Sequence, residues 1–178
     1  MIFSRNFLTN RFMTKFDEAL INVWTGAHTF GRAHCSLFSD RLYNFNDTES
    51  ADPTLNSTYF ATLSELCPLD ATEDNLANLD LTTPDEFDNK YYSDLQNLNG
   101  LLQSDQELFS TSDADTIDLV NSFSSDQSVF FDNFVVSMTK MGSISVLTGD
   151  EGEIRLQCNL VNEDSSKDPK EKLLAKSK

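Results

Sequence analysis

The chain has 178 residues, 39% of them hydrophobic, and a formal net charge of −16, which is enough length for one domain with a real core. Between residues 17 and 162 twenty-five acidic side chains face only five basic ones. Such a surface repels phosphate backbones and anionic lipid, excludes nucleic acid and membrane as partners, and favours hard cations. No apolar run reaches the length of a membrane span, and fourteen phenylalanines set the chain apart from disordered acidic sequences.

The first sixteen residues are basic and free of acids, and they lack the continuous apolar stretch and small-residue cleavage site of a signal peptide. Phe16–Trp24 reads as a helix with its acids at the N-terminal end, stopping at Gly26, with His28 just beyond the stop. Asp52-Pro53 resembles an N-cap with proline at the first helical position, after which Leu55, Tyr59, Leu63 and Leu66 recur at helical spacing. Ser104 and Glu107 have capping-box spacing, which places Asp105 in the first turn of a short helix. A further helix runs through Ile117, Val120 and Phe123.

The segment 126–141 carries the strongest pattern. Phe130, Phe134, Met138 and Met141 form one stripe, widened by Phe131 and Val135, and read as core, with Gly142 as the C′ residue. Residues 143–156 are too short and mixed for more than turns and brief extended pieces. The tail over 163–178 is charged and poor in aromatics, and is expected to be disordered. The class is therefore all-α, mainly helical. Three cysteines, Cys35, Cys67 and Cys158, leave one without an internal partner. Asn46-Asp47-Thr48 and Asn56-Ser57-Thr58 match the N-glycosylation triplet.

Chemistry concentrates in two stretches. His28, one of only two histidines, stands in Gly26-Ala27-His28-Thr29-Phe30-Gly31-Arg32-Ala33-His34-Cys35, where small residues allow a large flat ligand close to the backbone; on its own it reads as a packed histidine before a ligand. Asn78-Leu79-Asp80-Leu81-Thr82-Thr83-Pro84-Asp85-Glu86-Phe87-Asp88 offers carboxylates and hydroxyls at the density of a calcium shell, or simply a solvated acidic loop, and it lacks the EF-hand pattern. No nucleophile elbow, Walker or HExxH motif is present.

Taken together, the run from Gly26 to Cys35, Asp80-Leu81-Thr82-Thr83-Pro84 leading to Phe87-Asp88-Asn89-Lys90-Tyr91-Tyr92, Gly100-Leu101-Leu102-Gln103-Ser104-Asp105-Gln106-Glu107-Leu108, and Gly152-Glu153-Ile154-Arg155-Leu156-Gln157-Cys158 resemble the plant secretory haem peroxidases of class III. The resemblance implies a proximal helical domain in which His28 is the axial ligand of haem b iron and Asp105 accepts a hydrogen bond from its other ring nitrogen. It implies a calcium site from Thr29, Asp80, Thr83 and Asp88, with the Glu86 carbonyl as a further ligand, and a Cys35–Cys67 disulfide. His34 carries no family role and reads as surface or packing.

It also implies oxidation of phenolic donors by hydrogen peroxide, in a secreted monomer of the cell wall or vacuole. The matching part is the C-terminal, proximal half of the family pattern. Residues 1–24 are expected to form a divergent segment in place of the distal domain, with the proximal domain over 25–162 and the tail over 163–178. The distal histidine and arginine that work on peroxide have no counterpart in this sequence, and the family partner of Cys158 lies in that other half. The alternative expectation is a truncated, inactive fragment that binds haem or calcium.

Overall fold

The computed structural model describes residue 23 and residues 25–70, 74–112, 114–157 and 159–162. The helix expected over Phe16–Trp24 lies outside the described residues except at Val23, as do Cys158 and the tail from residue 163. By internal contacts the chain divides into residues 1–141 and residues 142–178.

In the first unit a 3₁₀ turn, Gly26–Thr29, leads to strand β1 (Arg32–His34) and helix α1 (Ser39–Tyr43). Then follow α2 (Ser57–Leu66), β2 (Leu76–Asn78), α3 (Lys90–Gln96), α4 (Gln103–Ser110), α5 (Thr116–Ser125) and α6 (Gln127–Gly142). The mainly helical class is as expected. One antiparallel strand pair, with Ala33 opposite Ala77, was not legible, because three-residue strands are too short to show a period of two.

The helix starts differ from expectation in instructive ways. Asp52 does not cap α2. Its carboxylate accepts from the Thr54 amide and hydroxyl and is tied to Arg41, so Asn56 caps instead, accepting from the Thr58 and Tyr59 amides. Ser104 is not the cap of α4 either: that helix begins after Leu102 with no side-chain cap, and the Glu107 carboxylate accepts from the Gln103 side-chain amide. Asp105 nevertheless falls in the first turn as expected. Asp126 caps α6 by accepting from the Ser128 and Val129 amides, and the Asn89 side chain donates to the Phe123 and Ser124 carbonyls at the end of α5.

Two apolar clusters hold the unit together. One gathers Phe38, Leu42, Tyr59, Leu63 and Leu79 around the Cys35–Cys67 disulfide, which closes a separation of 32 residues. The other joins Tyr91, Tyr92, Leu95, Val120, Phe123 and Phe130, where each fully buried large side chain contributes about 1.5–3 kcal/mol. The α6 stripe is core only at its start. Phe130 is fully buried and Phe134 packs partly, but Met138 is 37% and Met141 39% exposed. Val135, expected to widen the stripe, is exposed as well. Gly142 remains helical rather than adopting the left-handed C′ conformation.

The second unit, in its described part, consists of turns without helix or strand beyond Gly142, as the sequence indicates. Asn162 organises it: its side chain accepts from the Leu156 amide and donates to the Ile154 carbonyl. No helix among the described residues is long and apolar enough to cross a membrane.

Candidate functional site

The α-helical backbone seen at Val23 and Thr25 gives way at Gly26, as expected, to the 3₁₀ turn that carries His28. The glycine is required by proximity. A Cβ at Gly26 would meet the Tyr92 hydroxyl and lie 2.6 Å from Cε2 of Phe130, so only glycine lets this turn lie against α3 and α6. His28 is thereby fixed in height over the aromatic cluster, and its ring meets Tyr91 edge-on at 6.3 Å.

The second participant comes from α4, 77 positions later. His28 Nδ1 donates to Asp105, 3.0 Å from Oδ2 and 3.2 Å from Oδ1. Asp105 is fully buried, whereas the His28 side chain keeps 36% of its surface exposed. Among the described residues Nε2 makes no hydrogen bond. The Asp105 hydrogen bond pulls the imidazole above its ordinary pKa against the opposing effect of burial, and the attraction of the same charge adds to it. With Nδ1–H held by a carboxylate, the Nε2 lone pair is presented outward with raised basicity, which is what a metal-ligating imidazole needs.

Asp105 owes its position to the loop before α4. The Arg41 guanidinium, buried on α1, donates through Nη1 to the Gly100 and Leu101 carbonyls at 2.6 and 2.7 Å and through Nε to Asp52 at 2.8 Å. Gln106, also buried, accepts from the Gly100 amide and donates to the Leu95 carbonyl, both at 3.0 Å. Sequence reasoning missed both residues. Their partners are distant in sequence, and the Asp52-Pro53 pair is read locally as a cap.

Beside His28 an oxygen cluster forms. Thr29 Oγ1 lies 2.9 Å from Asp80 Oδ2, 3.3 Å from Asp88 Oδ1 and 3.5 Å from the Glu86 carbonyl, and Thr83 Oγ1 lies 3.1 Å from Asp88 Oδ1. Asp80 and Thr29 are fully buried. Asp80 keeps one oxygen for the cluster, because the other accepts from the Thr82 and Thr83 amides at 2.8 Å. No set of three His, Cys, Asp or Glu side chains converges among the described residues; the five donors are two carboxylates, two hydroxyls and a carbonyl. Hard, all-oxygen donors spaced about 3 Å apart suit calcium, whose ligands stand at ~2.3–2.6 Å from the ion.

The structure therefore brings together the residues singled out in the sequence in two neighbouring groups, His28 with Asp105, and Thr29 with Asp80, Thr83, Glu86 and Asp88. Cys35 and Cys67 are bonded to each other, their Cα atoms 5.6 Å apart. His34 stays apart, exposed at the end of β1, with Nδ1 3.1 Å from the Asp74 carbonyl. The donor chemistry fits both implied groups: an imidazole with its second nitrogen already anchored for haem iron, and a cluster of five oxygens, built on the buried Thr29 and Asp80, for calcium.

A family model described as peroxidase matches residues 5–126. Peroxidase 54 of Arabidopsis thaliana is 57% identical over 142 residues, which cover 80% of this chain and 40% of that relative. Peroxidase 15 of Ipomoea batatas is 56% identical over 153 residues, or 83% of this chain and 47% of the relative, and the lignin-forming anionic peroxidase of Nicotiana tabacum is 48% identical over 155 residues, or 86% of this chain and 47% of its own length. The chain spans less than half the length of these curated relatives. With a match over most of its length and relatives of this identity, the chain belongs to the peroxidase family, among the class III plant secretory peroxidases.

Proposed function

We propose that this chain supplies the proximal side of a haem peroxidase site that oxidises phenolic donors with hydrogen peroxide. His28 Nε2 ligates the iron of haem b, Asp105 anchors the ligand, and Thr29, Asp80, Thr83 and Asp88, with the Glu86 carbonyl, hold a calcium ion. The observation that carries this reading is the His28–Asp105 hydrogen bond, closed by the fold between a short turn and a distant helix. When bound, haem supplies the redox iron that peroxide oxidises and the donor reduces back.

The work of the chain's own residues is to prepare that ligand. Asp105 accepts the Nδ1 proton, which fixes the tautomer and the ring plane and makes Nε2 a stronger donor. Burial keeps water away from Asp105, so its charge acts on the imidazole from the low-dielectric side of the pair. The calcium ligands bind Thr29, the residue next to His28, and so restrain the turn that carries the imidazole. Arg41 and Gln106 hold the Gly100–Leu102 loop and thereby the register of Asp105. The Cys35–Cys67 disulfide suits the oxidising cell wall or vacuole, and the protein acts there as a monomer.

A second reading, a chain that binds haem and calcium without turnover, is favoured by one specific observation. Work on peroxide needs a positioned general base and charge stabilisation, contributing about 10²–10⁴-fold and 10²–10³-fold. The chain has two histidines; His28 is held by Asp105 and His34 sits at the Asp74 carbonyl. The two readings separate when the chain, loaded with haemin and calcium, is assayed for peroxide-dependent phenol oxidation. A rate well above that of free haemin supports the enzyme, and a rate equal to it supports the non-catalytic chain.

A further inference from the structure

Asp94 lies on α3, outside the set of five oxygens assigned to calcium, and is almost completely buried. Its carboxylate is spent on one turn. Oδ2 accepts from the Leu81 and Thr82 amides at 2.9 and 3.1 Å, and Oδ1 accepts from the Thr82 hydroxyl at 2.7 Å. The Thr82 amide is shared with Asp80 Oδ1, which also accepts from the Thr83 amide. Two carboxylates thus grip the Leu81–Thr83 turn, one from inside the acidic loop and one from the core helix.

The consequence is mechanical and electrostatic. Asp80 and Thr83 flank that turn and carry two of the five oxygens, so the turn's shape sets their separation. Asp94 ties this shape to α3, whose Tyr92 and Leu95 are fully buried, rather than to the loop itself. Its carboxylate lies beside that of Asp80, since both accept from the same Thr82 amide. Two adjacent buried carboxylates repel each other until a cation stands against them.

We propose that Asp94 is a positioning residue of the calcium site: it does not touch the ion, but it shapes the Leu81–Thr83 turn that presents the Asp80 and Thr83 oxygens and adds its charge to the field there. This rests on the reading of Thr29, Asp80, Thr83, Glu86 and Asp88 as a calcium site. It differs from a purely structural role in sign. An Asp94→Asn substitution keeps the side chain's size but removes the repulsion with Asp80 and one of the two oxygens that hold the turn, so the calcium-free protein keeps or gains thermal stability while calcium binding weakens.

The test uses the full chain, stripped with chelator and titrated with Ca²⁺ by competition against a chromophoric chelator, alongside thermal unfolding in excess chelator. The expected result is a loss of about ten- to a hundredfold in calcium affinity for Asp94→Asn, with an unchanged or higher midpoint without calcium. Thr82→Val, which removes only the hydroxyl donor to Asp94, gives a smaller loss in the same direction and serves where Asp94→Asn fails to fold. Equal affinity in wild type and both variants overturns the positioning role and leaves the calcium reading standing. A calcium-free midpoint that falls together with the affinity overturns it in favour of a structural role. Wild type that binds no Ca²⁺ overturns the calcium reading itself, and the positioning role with it.

Discussion

Replacing Arg41 by methionine removes a buried cation and leaves its partners behind. Three hydrogen bonds go, to Asp52 at 2.8 Å and to the Gly100 and Leu101 carbonyls at 2.6 and 2.7 Å. Asp52 retains only Thr54 as donor, and its side chain is 1% exposed. Removing one member of a buried ion pair costs about 3–5 kcal/mol, because the other charge remains uncompensated, and each orphaned carbonyl lies within the ~1–3 kcal/mol range for an unsatisfied polar group. We expect Arg41→Met to lose about 3–5 kcal/mol in urea unfolding followed by circular dichroism. The double variant Arg41→Met, Asp52→Asn should recover part of that loss, since asparagine can still accept from Thr54 without a buried charge. A loss below about 1 kcal/mol, or a double variant as unstable as the sum of the two single ones, would refute the reasoning that this pair anchors the loop before α4.

Two further outcomes are expected. Gly26→Ala places a methyl against the Tyr92 hydroxyl and Phe130 and should cost about 1–3 kcal/mol by overpacking, read as a lower urea midpoint; a neutral substitution would show that the 3₁₀ turn is free to shift. In the haem-free chain His28 should titrate above 6.5, because the Asp105 hydrogen bond outweighs burial. Its stabilising contribution is then complete below pH 6.5, the unfolded value, and is lost as pH rises through the raised folded value. Asp105→Asn leaves burial as the main influence and should bring the His28 titration, followed by NMR of the imidazole C2 proton, below 6.5. An unchanged titration would separate Asp105 from His28.

How much was legible depended on the range of the interaction. The first turn of α4 with Asp105, the helix through Val120 and Phe123, and the buried position of Phe130 follow from local periodicity. The assignment of His28, Asp105 and the oxygen ligands came from the ordered resemblance, since neither residue spacing nor composition could choose between a packed histidine and a ligand. Arg41 and Asp52 were invisible because Asp52-Pro53 satisfies a local capping pattern while its true partner lies eleven residues earlier. Asp94 escaped because it is one acid among many until the fold turns it onto Thr82. The outer half of the α6 stripe misled for the opposite reason: its periodicity continues through Met138 and Met141, but their burial depends on neighbours that a helical pattern cannot supply.

The most direct test of the proximal site is a haemin titration of the calcium-loaded chain, recorded in the Soret and charge-transfer regions for wild type, His28→Ala and Asp105→Asn. The expected result is saturable binding with a five-coordinate histidine-ligated spectrum in wild type, its loss in His28→Ala, and a shifted spectrum in Asp105→Asn, where the imidazole is retained but its anchor is weakened. Non-saturating uptake that is identical in all three proteins would contradict the assignment of His28 as the haem ligand.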